Sequence, residues 1–444
     1  MIYGIVLFII LLLGIAIYDF KRVNSFDDFT VAGKSQGFWT VYLSLMTSMI
    51  GASATLGVAE RVCNIGFPAF WWLGVGAIGL FIQGLFLSTK IRELDATTLP
   101  DIAEKTVGNG AKAILSLIIA ISWIGIIGAQ ILSLAKIVRV VAVDINENLL
   151  IVIIAMVVIL YTMLGGQLSV VKTDMLQAGV IFVGIVGTLI YLLLYKGENN
   201  QELFNNVELL NQGFNSSDLI KLLFITGGTY FLGPDIVSRN IMSKDSRTAR
   251  NATFVASITL AIFGVIITLL GMWTLYNMPV LKGESPLIYI MNRVIPTPLA
   301  ILLCLALIAT LLSSADTCLV NAATIVEHDL LKRNKVGEVR IIIGVMGLAS
   351  LLIALTKTDI IDLLLGAYSV YSPGIVCPLC TAILSYKKLK INKIIWFAAV
   401  IIGGFVGIAH SYFGLGPDYL PLIGMAISLV LSLLSILPRT GKKC

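Results

Sequence analysis

The sequence predicts an all-α polytopic membrane protein of about thirteen transmembrane helices, and three observations predict it. Of 444 residues, 58% are hydrophobic and only 13% charged, about half the ~25% charge usual in a soluble globular protein. Mean hydropathy is +0.96. The apolar residues gather in runs near the ~20 residues that a helix needs to cross a ~30 Å hydrocarbon core. These runs lie at roughly 2–20, 38–60, 66–89, 112–139, 148–164, 175–195, 217–234, 251–277, 297–325, 340–356, 359–385, 394–413 and 418–438. They lack the alternation of membrane barrel strands. Composition excludes a water-soluble enzyme, a nucleic-acid binder and a disordered chain.

The first run has no charge before Asp19 and no small-residue cleavage motif after it, so it reads as a retained span rather than a signal peptide. Basic residues set the orientation. With the N-terminus outside, the segments 21–34, 90–112, 239–250, 332–340, 387–393 and 439–443 together with Lys172 are cytoplasmic, and they hold 23 of the 31 Lys and Arg. The expected address is a plasma (inner) membrane, with N-terminus out, C-terminus in and the lipid bilayer as partner. The loop 197–216 carries three Glu and no Lys or Arg, which agrees.

Two runs are interrupted by helix-weak residues: Gly51-Ala-Ser-Ala-Thr-Leu-Gly57 in the second, and Gly227-Gly228 through Gly233-Pro234 in the seventh. Val171-Lys172-Thr173-Asp174 resembles Thr356-Lys357-Thr358-Asp359 at an offset of 185 residues, and the same offset carries Ile50 onto Asp235, beside the second interruption. Interrupted spans at corresponding places in two halves point to a transporter binding site; glycines that merely permit close helix packing are the plainer alternative.

The run 297–325 places Thr310, Ser313, Ser314 and Thr317 at i, i+3, i+4 and i+7, one stripe of a helix, bordered by Asp316. Hydroxyl oxygens suit hard cations. A helix break near Gly51 frees carbonyls at Thr47 and Ile50, one turn apart. Carbonyls on one helix facing hydroxyls on another make an all-oxygen site of low charge, fit for a monovalent ion rather than a divalent one. Hydroxyls bonded back to their own helix are the competing reading. An acidic residue inside a span, as at Asp174, is costly and usually functional; its plainer reading is a pair with Lys172 or a loop Arg. The six cysteines are scattered, Cys377 and Cys380 form a CxxC inside an apolar run, and the two histidines lie far apart. Packing therefore explains the cysteines better than metal or redox chemistry, and a membrane enzyme lacks its cluster.

Four motifs resemble the sodium:solute symporter family: Ile50-Gly51-Ala52-Ser53-Ala54-Thr55-Leu56-Gly57; Tyr161 through Gly165-Gly166 to Thr173-Asp174-Met-Leu-Gln177; Arg239 with Lys244-Asp245 and Ala249-Arg250; and Leu312-Ser313-Ser314-Ala315-Asp316-Thr317. They stand in the family's order along nearly the whole chain. The resemblance implies a LeuT-type core of five plus five inverted helices with discontinuous first and sixth core helices: an extra helix at 2–20, repeats at 38–195 and 217–385, and two extra helices at 394–438. It implies a secondary active transporter that moves a small organic solute into the cell with Na+, not an enzyme.

Carried over residue by residue, the sodium site comprises the carbonyls of Thr47, Ile50 and Thr310 and the hydroxyls of Ser313 and Ser314. Thr310 departs from the family's frequent Ala but keeps its carbonyl. Asp174, Asp316 and Thr317 fall at positions linked to sodium exit or a second sodium. Substrate positions fall on Gly51, Ala54 and Leu73. The last two are amide or carboxylate residues in sugar-transporting relatives, so their apolar character here argues against sugars. Trp72, Tyr230, Phe70 and Trp71 are aromatic candidates for the pocket wall, with Thr55 and Gln130 as polar contacts. An amino acid or organic carboxylate is the expected solute. A symporter-like sensor, which needs a signalling domain after the last run, and a proton-coupled member of the fold are the alternatives.

Overall fold

The computed structural model describes residues 1–23, 25–195, 200–278, 285–356 and 359–437. Among these, ten helices are long and apolar enough to cross a membrane, or eleven when a bent pair counts as one span. The Arg439–Lys443 tail, parts of the acidic loop and Lys357-Thr358 of the repeated tetrapeptide lie outside the described residues.

In chain order the structure runs from α1 (Ile2–Phe20) to a pair bent by 60°, α2 (Phe38–Met49) and α3 (Ser53–Ile65). α4 (Phe67–Phe86), α5 (Ala111–Val138) and α6 (Glu147–Tyr195) follow. A second interrupted pair comprises α7 (Ser216–Leu232) and α8 (Pro234–Met242). Then come α9 (Ser246–Asn277), α10 (Thr297–Leu331), α11 (Val336–Thr356), α12 (Ile360–Ser385), α13 (Lys393–Phe413) and the shorter α14 (Leu420–Leu434). A two-residue antiparallel ladder, Lys390–Ile391 with Ile436–Leu437, ties the segment before α13 to the end of α14.

α6 has 49 residues, which as a straight rod would be roughly 74 Å long. It is not straight. Gly166 has φ 60° and ψ −167°, and the Tyr161 hydroxyl donates to Thr173 Oγ1 at 2.8 Å. Twelve residues of straight helix span roughly 18 Å, beyond the reach of that bond, so the chain turns sharply at Gly166. A Cβ there would meet the Phe29 ring at 2.5 Å.

The molecule is inverted relative to a water-soluble protein. Leu85, Leu117, Leu160, Val183, Ile262 and Leu352 face outward, toward lipid. Asp19, Asp174, Arg239 and Asp316 are fully buried. Lipid tails are as apolar as leucine, so the helices associate by close packing and internal polar contacts. At Gly184 of α6 a Cβ would meet the Leu302 carbonyl of α10 at 2.8 Å. Two sequence expectations change here. Arg239 is a fully buried residue of α8 and does not belong to a cytoplasmic loop, which removes it from the charge that orients the chain. Lys172 does not pair with Asp174; it bonds Asp19 at 2.5 Å.

Candidate functional site

The site grows from the break between α2 and α3. Ile50 adopts φ −89° and ψ 69°, which turns the following peptide out of the helical direction. Three side chains then catch the loosened backbone. Ser314 Oγ donates to the Ser48 carbonyl at 2.9 Å, the Tyr230 hydroxyl to the Met49 carbonyl at 3.4 Å, and Gln130 Oε1 accepts the Ala52 N–H at 3.0 Å. Ile50 N–H still bonds the Met46 carbonyl and Thr55 N–H the Gly51 carbonyl. The helical bonds from Gly51 N–H to Thr47 and from Ala54 N–H to Ile50 are not formed, so these two carbonyls keep free lone pairs. A Cβ at Gly51 would lie 2.8 Å from both Gln130 Nε2 and Ser314 Oγ, so a larger residue there must displace one of these side chains.

α10 lies against this break. Thr47, Ile50, Thr310 and Ser313 are fully buried, and Ser314 nearly so. Three of the four hydroxyls in the stripe reach other helices. Ser313 Oγ donates to Asp174 Oδ1 at 2.5 Å, Ser314 bonds Ser48, and Thr317 Oγ1 accepts from Arg239 at 2.6 Å. Only Thr310 bonds back, to the Leu307 carbonyl. The donor set of three carbonyls and two hydroxyls is neutral and all oxygen. It suits a hard monovalent cation, and the free Thr47 and Ile50 carbonyls are the part of the structure that fits sodium.

Deeper along α10 the chemistry becomes ionic. Asp174 on α6 accepts from Ser44 at 2.5 Å, from Ser313, and from Arg239 Nη2 at 3.4 Å. Arg239 also donates to Ser44 Oγ and Ser238 Oγ. Its guanidinium thus stands between Asp174 and Thr317, where a second sodium would have to sit. Asp316 lies beside this group, within electrostatic reach of Asp174, Arg239 and Tyr161, and both its carboxylate oxygens are buried.

A cavity of about 60 Å³ lies between the two breaks, lined by Ser48, Gly51, Gln130, Tyr230, Ser314 and Asp235 among others. A cavity that holds benzene is near ~150 Å³, so this one must widen for most solutes. Of the predicted substrate contacts, Gly51, Gln130 and Tyr230 line it; Ala54, Thr55, Leu73 and Trp72 do not. Thr55 is bonded to the Gly51 carbonyl at 2.9 Å, and Leu73 packs toward Gly264 of α9. Trp71 reaches the Leu209 carbonyl, and Phe70 lies against Trp71. Ala54 and Thr55 belong to the five-residue π turn Ser53–Gly57, whereas Phe70, Trp71, Trp72 and Leu73 belong to α4.

Sequence reasoning missed Asp235. It occupies the first turn of α8 just after Gly233, whose extended backbone breaks the helix, and it is partly exposed to the cavity. The signal was available: an acid inside an apolar span beside Gly-Pro.

A larger cavity of about 680 Å³ opens on the face carrying Arg61, with Asp218, Lys221, Asp359, Asp362 and His410 in its wall. Gly125, Ile225 and Ala367 line it, while Ile126, Thr229 and Tyr368, one position or one turn deeper, line the central cavity. The opposite face is laced shut. Lys34 meets Asp95 at 2.8 Å, Arg92 Nε meets the Ser243 carbonyl at 2.5 Å, and Lys112 meets Asp329 at 3.1 Å. The Lys34 hydrogen bond holds the Asp95 carboxyl below its ordinary range.

Comparison with known proteins agrees with this architecture. The osmoregulated proline transporter OpuE of Bacillus subtilis (strain 168) is 24% identical over 439 residues, covering 91% of this chain and 89% of its own. A Na+-coupled sialic acid symporter, solved in a substrate-bound outward-open state, superposes with TM-score 0.75 at 17% identity over 97% of this chain and 96% of that one. Mhp1, a nucleobase-cation-symport-1 family transporter, superposes with TM-score 0.60 at 17% identity over 92% and 93%. These structural likenesses establish a LeuT-type fold. The model of the sodium:solute symporter family matches residues 29–403, and the chain belongs to that family.

Proposed function

We propose that this secondary active symporter couples entry of a small organic solute, an amino acid or organic carboxylate, to one sodium ion. The observation that carries the reading is the break at Ile50, where the Thr47 and Ile50 carbonyls lack their helical partners and Ser314 of α10 bonds the neighbouring Ser48 carbonyl. Sodium on Thr47, Ile50, Thr310, Ser313 and Ser314 would hold α2 against α10 and favour the state open on the Arg61 face. Arg239 already neutralises Asp174, which favours one ion over two. The repeats at 38–195 and 217–385, the flanking helices, and the N-out, C-in placement in a plasma membrane belong to the same proposal.

The energetics suffice. One sodium crossing ~100 mV gains about 2.3 kcal/mol, and a tenfold gradient adds about 1.4 kcal/mol. Together they support roughly 500-fold accumulation of a neutral solute at one-to-one coupling.

The test is thermal stability in sodium against potassium chloride. Sodium is expected to raise the melting temperature of the native protein and to lose most of that effect in Ser314→Ala. An undiminished sodium effect in that variant would remove Ser314 from the site.

A further inference from the structure

We infer that the solute carries a positively charged ammonium group, anchored on Asp235. The inference rests on the reading of the central cavity as the solute site and narrows its chemistry.

The hydrogen bonds that Asp235 accepts come from neutral donors alone. Trp123 Nε1 donates to both carboxylate oxygens at 3.1 Å, Asn321 Nδ2 to Oδ1 at 3.1 Å, and Cys318 Sγ to Oδ2 at 3.4 Å. Among the described residues no Lys, Arg or His side chain lies within 4 Å of it. Arg239, one turn further along α8, turns its guanidinium to Asp174, Thr317 and Ser44 instead. Hydrogen bonds from neutral groups favour the ionised carboxylate, yet a sequestered charge without a counter-charge is costly. An ammonium entering the cavity supplies that counter-charge.

The remaining wall suits a cation as well. Trp123, Tyr230 and Tyr368 line the cavity, and Tyr371 packs edge-on against Trp123 at 5.0 Å. Aromatic faces attract ammonium and quaternary ammonium groups. Among the described residues no basic side chain lines the cavity, so an anionic solute finds no counter-charge in that wall. A zwitterion fits when its ammonium lies on Asp235 and its carboxylate faces Ser314 and the sodium site.

Isosteric pairs test this directly. Choline is paired with dimethylbutanol, its uncharged analogue, and L-alanine with isobutyrate, which replaces the ammonium by methyl. Melting temperature is measured for the native protein and for Asp235→Asn, each in saturating sodium chloride. The expected result is a rise with choline or alanine, none with the partner of either pair, and a loss of affinity of about tenfold to a hundredfold in Asp235→Asn. Asp235→Glu should recover part of it. Sodium itself should stabilise native protein and Asp235→Asn alike, which shows that the variant is folded. The inference is overturned if the ammonium compounds give no shift, if isobutyrate or dimethylbutanol binds as well, or if Asp235→Asn binds the ammonium compounds undiminished. Loss of sodium stabilisation from the native protein would instead defeat the sodium-site reading.

Discussion

Asp174 and Asp235 are both carboxylates placed inside membrane helices, and their surroundings differ in kind. Asp174 is fully buried and meets Arg239 and two serine hydroxyls. Asp235 meets only neutral donors and faces a cavity. The first arrangement is electrically closed and binds α2, α6, α8 and α10 into one body. The second leaves a charge to be answered from outside. An acid in a span is therefore not by itself a ligand site; what decides is whether the protein already supplies the opposite charge.

The largest expected effect comes from opening the closed site. Arg239→Gln strands Asp174 in the interior and should cost about 3–5 kcal/mol of stability, read as a lower melting temperature in detergent. Adding Asp174→Asn should restore much of that loss, because the stranded charge is gone. Equal damage from the double variant would break the comparison.

Next is the neutral oxygen site beside it. Gly51→Ala forces a methyl against Gln130 and Ser314 and should weaken sodium binding at least as much as Ser314→Ala does, by about tenfold or more. Sodium titration of melting temperature reads both.

Asp316 sharpens the contrast further, since it is a second buried acid beside Asp174 and Arg239. Asp316→Asn removes a fully buried acid beside Asp174 and should not lower stability, unlike Arg239→Gln, and a melting curve separates the two.

The smallest effect belongs to the exposed pair Lys34–Asp95. Its depressed carboxyl adds stability above the ordinary aspartate range near ~3.9 that is lost as pH falls through the lower folded value. The contribution is small and screened by salt. Asp95→Asn should flatten that acid limb without altering sodium binding.

Much of this was legible in the sequence because its causes are local. Gly51, Gly233 and Pro234 weaken a helix wherever they stand, and the stripe from Thr310 to Thr317 follows from 3.6 residues per turn. The partners were not legible. Arg239 reads as a loop charge because α8 continues past it to Met242, and its acceptor lies 65 residues away on α6. Ala54 and Leu73 were placed in the pocket by analogy, but neither lines the cavity, and Leu73 on α4 packs toward Gly264 of α9. Asp235 was passed over because its three donors come from distant helices.

The central claim is that a sodium gradient drives solute entry through the site at Ile50. The direct measurement is uptake of labelled alanine or choline into vesicles of purified protein under an imposed sodium gradient, an imposed proton gradient, or neither. Accumulation driven by sodium alone, and lost in Ser314→Ala, is the predicted result. Accumulation that follows the proton gradient and ignores sodium would contradict the account.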